Sequence, residues 1–433
     1  MAVPEERQSA LETGSRDHDR VTTFFAEAMA RIVPPVSQRV AVAVSGGSDS
    51  LALALLAARW QRSRGGSILA LVVDHGLRPE SAFEAQLTLE RLKTQKIEAR
   101  LLRLTTLQRG SAIASRARAA RYDALMVACR NEGIIDLLLG HHRQDQAETI
   151  WIRQQAGSAI MGLAGMALIR EAADIRLLRP LLAFDKTTLR NVVRDHGLDW
   201  VEDPSNDSPA AGRTQARKVV ERDGLQQEQL LEMAHRAAMA RRVQEQSIAQ
   251  ELASTVSFLP EGYALVSGNT LSFPSLAAVL GAVSGENYRP RHARLMPFQN
   301  GLRPMTLEGI RVMPAGRLPG DWLIVREHAA QQPPIFAKDR GLWDQRFRIH
   351  DPSREAEAKG LSLGALGKDA KLFRSRDGLP SVILQTLPSW RHGEKLIAVP
   401  HLGIVRSDPG ATICLSPAQP ATGALFQPGV MGW

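Results

Sequence analysis

The chain has few of the residues that staple proteins together. Two cysteines, Cys129 and Cys414, occur in 433 residues, far apart and in apolar surroundings. No CxxC pair is present to seat zinc, an iron–sulfur cluster or a thiol relay, and no disulfide framework is implied. No apolar run is long enough to span a bilayer, and the opening MAVPEERQSALETGSRDHDR has no apolar signal core, so a reducing cytoplasm is the expected setting. GxxxxGK[ST] is also missing, so the ordinary kinase and GTPase architecture is not indicated. Internal repeats and long low-complexity tracts are absent as well.

What is present is ordinary in composition, 44% hydrophobic and 23% charged, and long enough for two or three domains. The charge is less ordinary. A net +9 points to a polyanionic partner, nucleic acid first. The alternative is a basic but inert surface.

The most informative stretch is Val40 to Ser50, VAVAVSGGSDS, followed by LALALLAARW. Small and β-branched apolar residues read as a buried parallel strand, and the run after the loop reads as an apolar helix. Gly46 and Gly47 lack Cβ atoms, so backbone N–H groups can approach a polyphosphate; Ser45, Ser48 and Ser50 add hydroxyls and the helix N-terminus adds partial positive charge. A carboxylate there repels phosphates unless a cation stands between them, so Asp49 implies Mg²⁺ or a cationic substrate. The bland reading is a Ser/Gly-rich turn with an aspartate N-cap.

Strands alternate with helices on either side of the loop, which predicts an α/β domain with a parallel sheet. SILALVVDHG brings Asp74 and His75 to the carboxyl rim that carries the loop, where ligands collect in such sheets. IEARLLRL, IIDLLLG and DIRLLRPLL supply further strands. The long helix from Ser111 places Arg118 and Arg121 on one face near Arg116, either as RNA contacts or as a solvated helix face. IIDLLLG delivers His141 and His142 to the rim. The helix expected to begin near Gln144 puts Asp145 and Glu148 on one face in its first turn, complementing the helix dipole or holding an ammonium group or Mg²⁺. Adjacent histidines raise zinc, but no cysteine or HExxH completes a ligand set. Beyond the Pro/Asp/Ser/Asn loop DWVEDPSNDSP, Arg213 and Arg217 stand four apart and can clamp phosphates.

SGGSDS, VDHGLRPES, ARAARYDAL, GHHRQDQAET with GSAIMGLAGM, RPLL and WVEDPSN, in that order between Val40 and Arg217, resemble the tRNA(Ile)-lysidine synthase family of PP-loop ATP pyrophosphatases. The resemblance covers about half of the chain. It implies an adenine nucleotide alpha hydrolase-like fold and ATP as substrate with Mg²⁺, Asp49 being the metal ligand. It also implies that the wobble cytidine of an isoleucine tRNA with a CAU anticodon is adenylated, and that free L-lysine then displaces AMP. Codon reading would move from AUG to AUA. On this resemblance Ser45, Gly46, Gly47, Ser48, Asp49 and Ser50 bind the phosphates, while Asp145 and Glu148 take lysine. Asp49, with Asp145 second, accepts the amine proton, and Arg213 steadies a tRNA phosphate or AMP. Asp74, His75 and His142 lie on the adenine side or just behind the site, and Arg118, Arg121 and Arg217 are candidates for tRNA. Many relatives have Asp at Gln144, Gly at Ala159 and Asn at Thr214.

The domains expected are a flexible 1–22, a PP-loop catalytic domain over 23–216, a helical connector over 217–251, an α+β tRNA-engaging middle domain over 252–332, and a small β-rich C-terminal domain over 333–433. A homodimer is left open. Rival readings are a tRNA thiolase, which the cysteine count disfavours, an amidating ligase such as NAD or GMP synthetase, and a nucleotide-regulated RNA-binding module without catalysis.

Overall fold

The computed structural model describes residues 5–78, 80–104, 113–172, 174–202, 212–286, 288–373 and 378–429. Two compact units divide the chain: residues 1–243 with 424–433, and residues 244–423.

In unit 1 a twisted sheet takes its strands from β1 (Arg39–Val44), β2 (Ser67–Asp74), β3 (Glu98–Arg103), β4 (Asp136–Leu138), β5 (Ile169–Glu171) and β6 (Arg176–Leu178), in the order β3-β2-β1-β4-β6-β5. All neighbours run parallel except β5, which turns back antiparallel along β6. DIRLLRPLL supplies only β6, and the short edge strand β5 precedes it in a stretch with no strand pattern of its own.

Helices α1 (Glu5–Ile32), α2 (Ser48–Arg62), α3 (Ser81–Thr94), α4 (Ile113–Asn131), α5 (Arg143–Gln155), α6 (Ile160–Leu163) and α7 (Lys186–Asp195) connect or flank the strands. The strands β1 and β2 read as continuous apolar runs because both faces are covered. Val40, Val42, Val44, Ile68, Ala70 and Val72 join one core with α1, α2 and α7. Ala41, Leu69, Leu71, Leu137 and Leu177 join a second core with Leu125, Ala128 and Cys129 of α4. Burying a leucine such as Leu51 or Leu53 of α2 contributes about 2 kcal/mol of transfer free energy.

Residues 1–22 are expected from the sequence to be flexible. Instead α1 already starts at Glu5, because EERQSALE is made largely of strong helix formers and the helix is anchored further on by buried Phe25 and Met29.

The strand order reverses between β1 and β4, and α/β sheets open a crevice at the carboxyl ends of such strands. The loop after β1 is SGGSDS and the loop after β4 is GHH. The topology therefore sets the two most informative stretches side by side.

The connector is two helices, α8 (Gly212–Arg222) and α9 (Gly224–Thr255). Asp223 separates them, its Oδ1 accepting the N–H groups of Leu225 and Gln226, an N-cap that starts α9 afresh.

In unit 2, β7 (Val256–Phe258), β8 (Ala264–Val266), β9 (Met305–Leu307), β10 (Ile310–Pro314) and β11 (Trp322–Arg326) form an antiparallel sheet in the order β7-β8-β11-β10-β9, with α10 (Phe273–Ser284) on one face. Short strands between Ile335 and Leu415 build two further antiparallel sheets. Tyr263, Leu265, Leu323 and Val325 of the first sheet share a core with Leu366, Ile383, Leu384 and Val399. The boundary expected at residue 332 thus falls inside one compact unit.

Candidate active site

The loop after β1 is organised before any ligand arrives. Gly46 adopts φ +89°, and a Cβ there would sit 2.5 Å from Thr88 Oγ1, so no side chain fits. The Gly46 carbonyl accepts the Val201 N–H at 2.9 Å, which ties the Trp200–Val201 segment to the loop. Ser50 Oγ accepts the Ser45 N–H at 3.1 Å and donates to the Gly47 carbonyl at 3.0 Å. Ser45 Oγ lies 3.2 Å from Ser50 Oγ, and Ser48 Oγ donates to Asp49 Oδ1 at 3.1 Å. Across the crevice, a Cβ on Gly140 would come within 3.2 Å of Ser50 Cα. The missing side chain lets the end of β4 press against the first turn of α2.

A pocket of about 180 Å³ opens beside this loop, lined by Ser45, Gly47, Asp49, Ser50, His75, Arg121, Tyr122 and His141, with Val73, Leu125 and Leu139 as its apolar wall. The Arg118 and Arg121 guanidinium carbons lie 5.3 and 5.7 Å from the Tyr122 ring centre. Positive charge, N–H donors at a helix start and an apolar wall together suit a nucleotide.

The second half of the site is built on α5. His142 caps the helix, its N–H donating to Asp145 Oδ2 at 3.1 Å. Its ring Nε2 lies 3.5 Å from Asp49 Oδ2 and 3.5 Å from Asp145 Oδ2, so one imidazole bridges the loop and the acid helix. Glu148 is 3% exposed. The α8 helix answers both acids: Arg213 Nη2 donates to Asp145 Oδ1 at 2.9 Å, Arg213 Nε to Glu148 Oε2 at 3.1 Å, and Arg217 Nε to Glu148 Oε1 at 3.2 Å.

Adjacent histidines behave oppositely. Burial drives the His141 imidazole down to about 3, against the pull of Asp145 and helped by Arg179, so it is neutral. Burial acts on His142 too, but the Asp145 and Asp49 carboxylates outweigh it and hold this imidazole above its ordinary value. Burial would raise the Asp145 carboxyl. The charges of His142 and Arg213 and the His142 N–H overcome it, so Asp145 is held below the usual carboxylate range.

Asp49, Asp145, Glu148 and Arg213, together with Ser45 to Ser50 and His142, are thus brought to one margin of the sheet. His75 and Arg121 line the pocket, whereas Arg118 sits near its edge on Tyr122 and has an exposed side chain. Arg217, read as a tRNA contact, pairs with Glu148. Asp74 is turned inward, accepting the Gly76 N–H at 2.9 Å and the Ser81 hydroxyl at 2.7 Å, and shapes the turn after β2. Gln144 points away from the acids and accepts the Lys186 N–H at the start of α7. Residues 203–211, which carry most of the DPSN loop, lie outside the described residues.

His141, Tyr122 and Arg179 were not among the expected site residues. Arg179 is 6% exposed and its Nη1 donates to the Ala167 carbonyl. The hints were the doubled histidine, the tyrosine of ARAARYDAL and the arginine of RPLL. Among the described residues no cluster of three or more His, Cys, Asp or Glu is arranged to hold a metal ion, and no helix is long and apolar enough to cross a membrane.

A loop of this geometry at a reversal of strand order defines a nucleotide-binding α/β protein, and the family model of the PP-loop domain matches residues 18–223. A protein of Hyphomonas neptunium called tRNA(Ile)-lysidine synthase is 44% identical over 188 residues, 42% of this chain and 50% of that protein. One of the same name from a Bradyrhizobium species is 37% identical over 53% of this chain and 66% of its own length. Another from Anaplasma marginale is 28% identical over 83% of this chain and 85% of its own. The chain spans between half and two thirds of the length of the first two relatives, and the longest of these three matches runs well into unit 2. It belongs to the tRNA(Ile)-lysidine synthase family of PP-loop proteins.

Proposed function

We propose that this chain joins free L-lysine to C2 of the wobble cytidine of an isoleucine tRNA with a CAU anticodon, using ATP. The observation that carries the reading is His142, whose Nε2 stands 3.5 Å from both Asp49 and Asp145 and so joins the glycine-lined loop to the acid pair of α5. In the first step the cytidine C2 oxygen attacks the α-phosphorus of ATP and pyrophosphate leaves. N–H groups at the start of α2 and the hydroxyls of Ser45 and Ser48 would hold the phosphates, with Arg121 facing them from the pocket wall.

Mg²⁺ fits this site because such ions take one or two carboxylates and complete their shell with phosphate oxygens and water. Asp49 is a carboxylate at the loop head. When bound, the ion would neutralise charge developing on pyrophosphate.

In the second step the lysine side-chain amine attacks C2 and the bond to the AMP oxygen breaks. Asp145 and Glu148 present carboxylate oxygens already satisfied by cations, so a lysine ammonium is chemically equivalent to the guanidinium N–H groups it would replace. Held ionised, Asp145 serves as a ligand for that ammonium. Asp49 accepts the proton the amine sheds before attack. Arg213, 42% exposed in its side chain, reaches solvent beside the acids, where it would meet the phosphate of AMP or tRNA. The net charge of +9 favours the tRNA partner, with salt-sensitive affinity. A thiolase mechanism is poorly served, since Cys129 is buried, with its thiol pushed up to about 12, and Cys414 lies in unit 2.

The test is transfer of labelled lysine to CAU-anticodon isoleucine tRNA by purified protein with ATP and Mg²⁺, with pyrophosphate released. Label transfer that needs a sulfur donor in place of lysine would favour a thiolase, and tRNA binding without pyrophosphate release would favour a non-catalytic module.

A further inference from the structure

The last described stretch of the chain, residues 424–429, is counted with unit 1 although the 180 residues before it form unit 2. The chain thus leaves unit 1 along α9 and returns to it at Ala424. Both crossings meet in one place. On the outgoing helix Ala237 and Ala238 form a buried cluster with Phe426 of the returning segment and with Ala164. The Arg241 guanidinium lies 4.3 Å from the Phe426 ring centre, and its Nη1 reaches the Met161 carbonyl at 3.4 Å.

The returning segment is also hydrogen-bonded to the stretch before β5. Gln427 accepts the Leu168 N–H at 3.0 Å, Ala167 and Pro428 form an antiparallel bridge, and the Ala424 N–H donates to Glu171 Oε2 at 3.1 Å. That stretch holds the acid helix. Gln146, between Asp145 and Glu148 and 1% exposed, exchanges two hydrogen bonds with the Met166 backbone, at 2.9 and 2.7 Å. Arg153 donates to the carbonyls of Gly162 and Gly165. Arg179, whose charge helps keep His141 neutral, donates its backbone N–H to the Leu168 carbonyl and its Nη1 to the Ala167 carbonyl.

We propose that residues 424–429 are a clasp, centred on Phe426, that positions the acid helix α5 through the 160–171 stretch and so sets the site for the incoming amine. The proposal rests on the lysine-ligase reading for its kinetic consequence. Phe426 packs with Ala164 and Ala167, on either side of the Met166 backbone that holds Gln146, while Gln427 holds Leu168. The phosphate loop is held by Ser50, Thr88 and Val201 instead and does not depend on the clasp. Losing the clasp therefore separates the two half-sites functionally.

The test is Phe426→Ala in the full-length chain. It is expected to raise KM for lysine about tenfold while KM for ATP and the rate of pyrophosphate release stay within about twofold. Hydrogen exchange is expected to speed up over residues 143–155 and 160–171 and to stay unchanged over 45–62. Phe426→Leu, which keeps apolar volume, should recover most of the lysine KM. Should Phe426→Ala fail to fold, Arg241→Gln is read in the same way, with a smaller shift in the same direction. An unchanged lysine KM in the folded variant overturns the proposal, as does a parallel decline of lysine and ATP parameters with melting temperature. If the wild-type chain makes no lysidine, the ligase reading fails by itself. Exchange then decides the clasp, and unchanged protection over 143–171 overturns it.

Discussion

The molecule contains two clusters in which arginines close on buried acids, and they are built for opposite ends. In unit 2, Asp344 is 1% exposed and receives Arg346 through Nε at 2.9 Å and Nη2 at 2.7 Å, with Arg326 Nη2 at 3.4 Å and the Gln332 N–H at 3.0 Å. Both arginines also donate to carbonyls, Arg346 to Gly262 and Arg326 to Gly309 and Ala330. Burial even pushes the Arg346 guanidinium down to about 10, despite Asp344 beside it. In unit 1 Glu148 is nearly as well buried, but Asp145 keeps 17% of its side chain in solvent, and Arg213 and Arg217 keep 42% and 26%. A charge sealed on every side can only hold structure. One whose partner reaches water can exchange that partner for a ligand, the property that the proposed lysine site at the rim needs.

The contrast breaks if the two clusters respond alike to mutation. Asp145→Asn should lower kcat/KM for lysine by about 10³-fold with little change in the denaturant midpoint; an unfolded variant with normal turnover per folded molecule would reverse the roles. Asp344→Asn should do the opposite, costing about 3–5 kcal/mol of unfolding free energy because two buried guanidinium groups lose their counter-charge. Its checks are a urea melt and the lysine KM of the folded fraction, which should match wild type. Arg213→Ala should cost only about 1 kcal/mol, since His142 still faces Asp145 and Arg217 still holds Glu148. A loss comparable to that of Asp344→Asn would erase the distinction. The smallest effect sets buried against open side chains once more: at pH 8 a thiol reagent should modify exposed Cys414 and spare Cys129, whose neutral thiol is a poor nucleophile.

Much of the rim could be read from residues in order. VAVAVSGGSDS and SILALVVDHG announced parallel strands because burial on both faces leaves no room for polar alternation, and each became a strand of the central sheet. The first turn of α5 was legible from the three-residue spacing of Asp145 and Glu148. Harder to read were features that depend on partners distant in sequence. Arg217 stands 69 positions from Glu148, and nothing local distinguishes an arginine aimed at an acid from one aimed at a phosphate. Asp74 stood on the right rim, but the Ser81 hydroxyl and the Gly76 N–H turned its carboxylate inward. The boundary expected at residue 332, which falls inside unit 2, has a similar cause. A Gln/Pro stretch looks like a linker, yet Leu323 and Val325 before it share a core with Leu366 and Ile383 after it.

The amino-acid order alone determined that a glycine-lined loop follows a buried strand, that two acids share a helix face, and that the cysteines carry no metal or disulfide signature. These are matters of spacing and side-chain chemistry within a few residues. Tertiary structure decided which cation meets which acid, that His142 bridges Asp49 and Asp145, and that residues 424–429 pair with the stretch before β5. Such pairings depend on which strands and helices become neighbours, and that is settled by the burial of whole faces rather than by any one residue's neighbours along the chain.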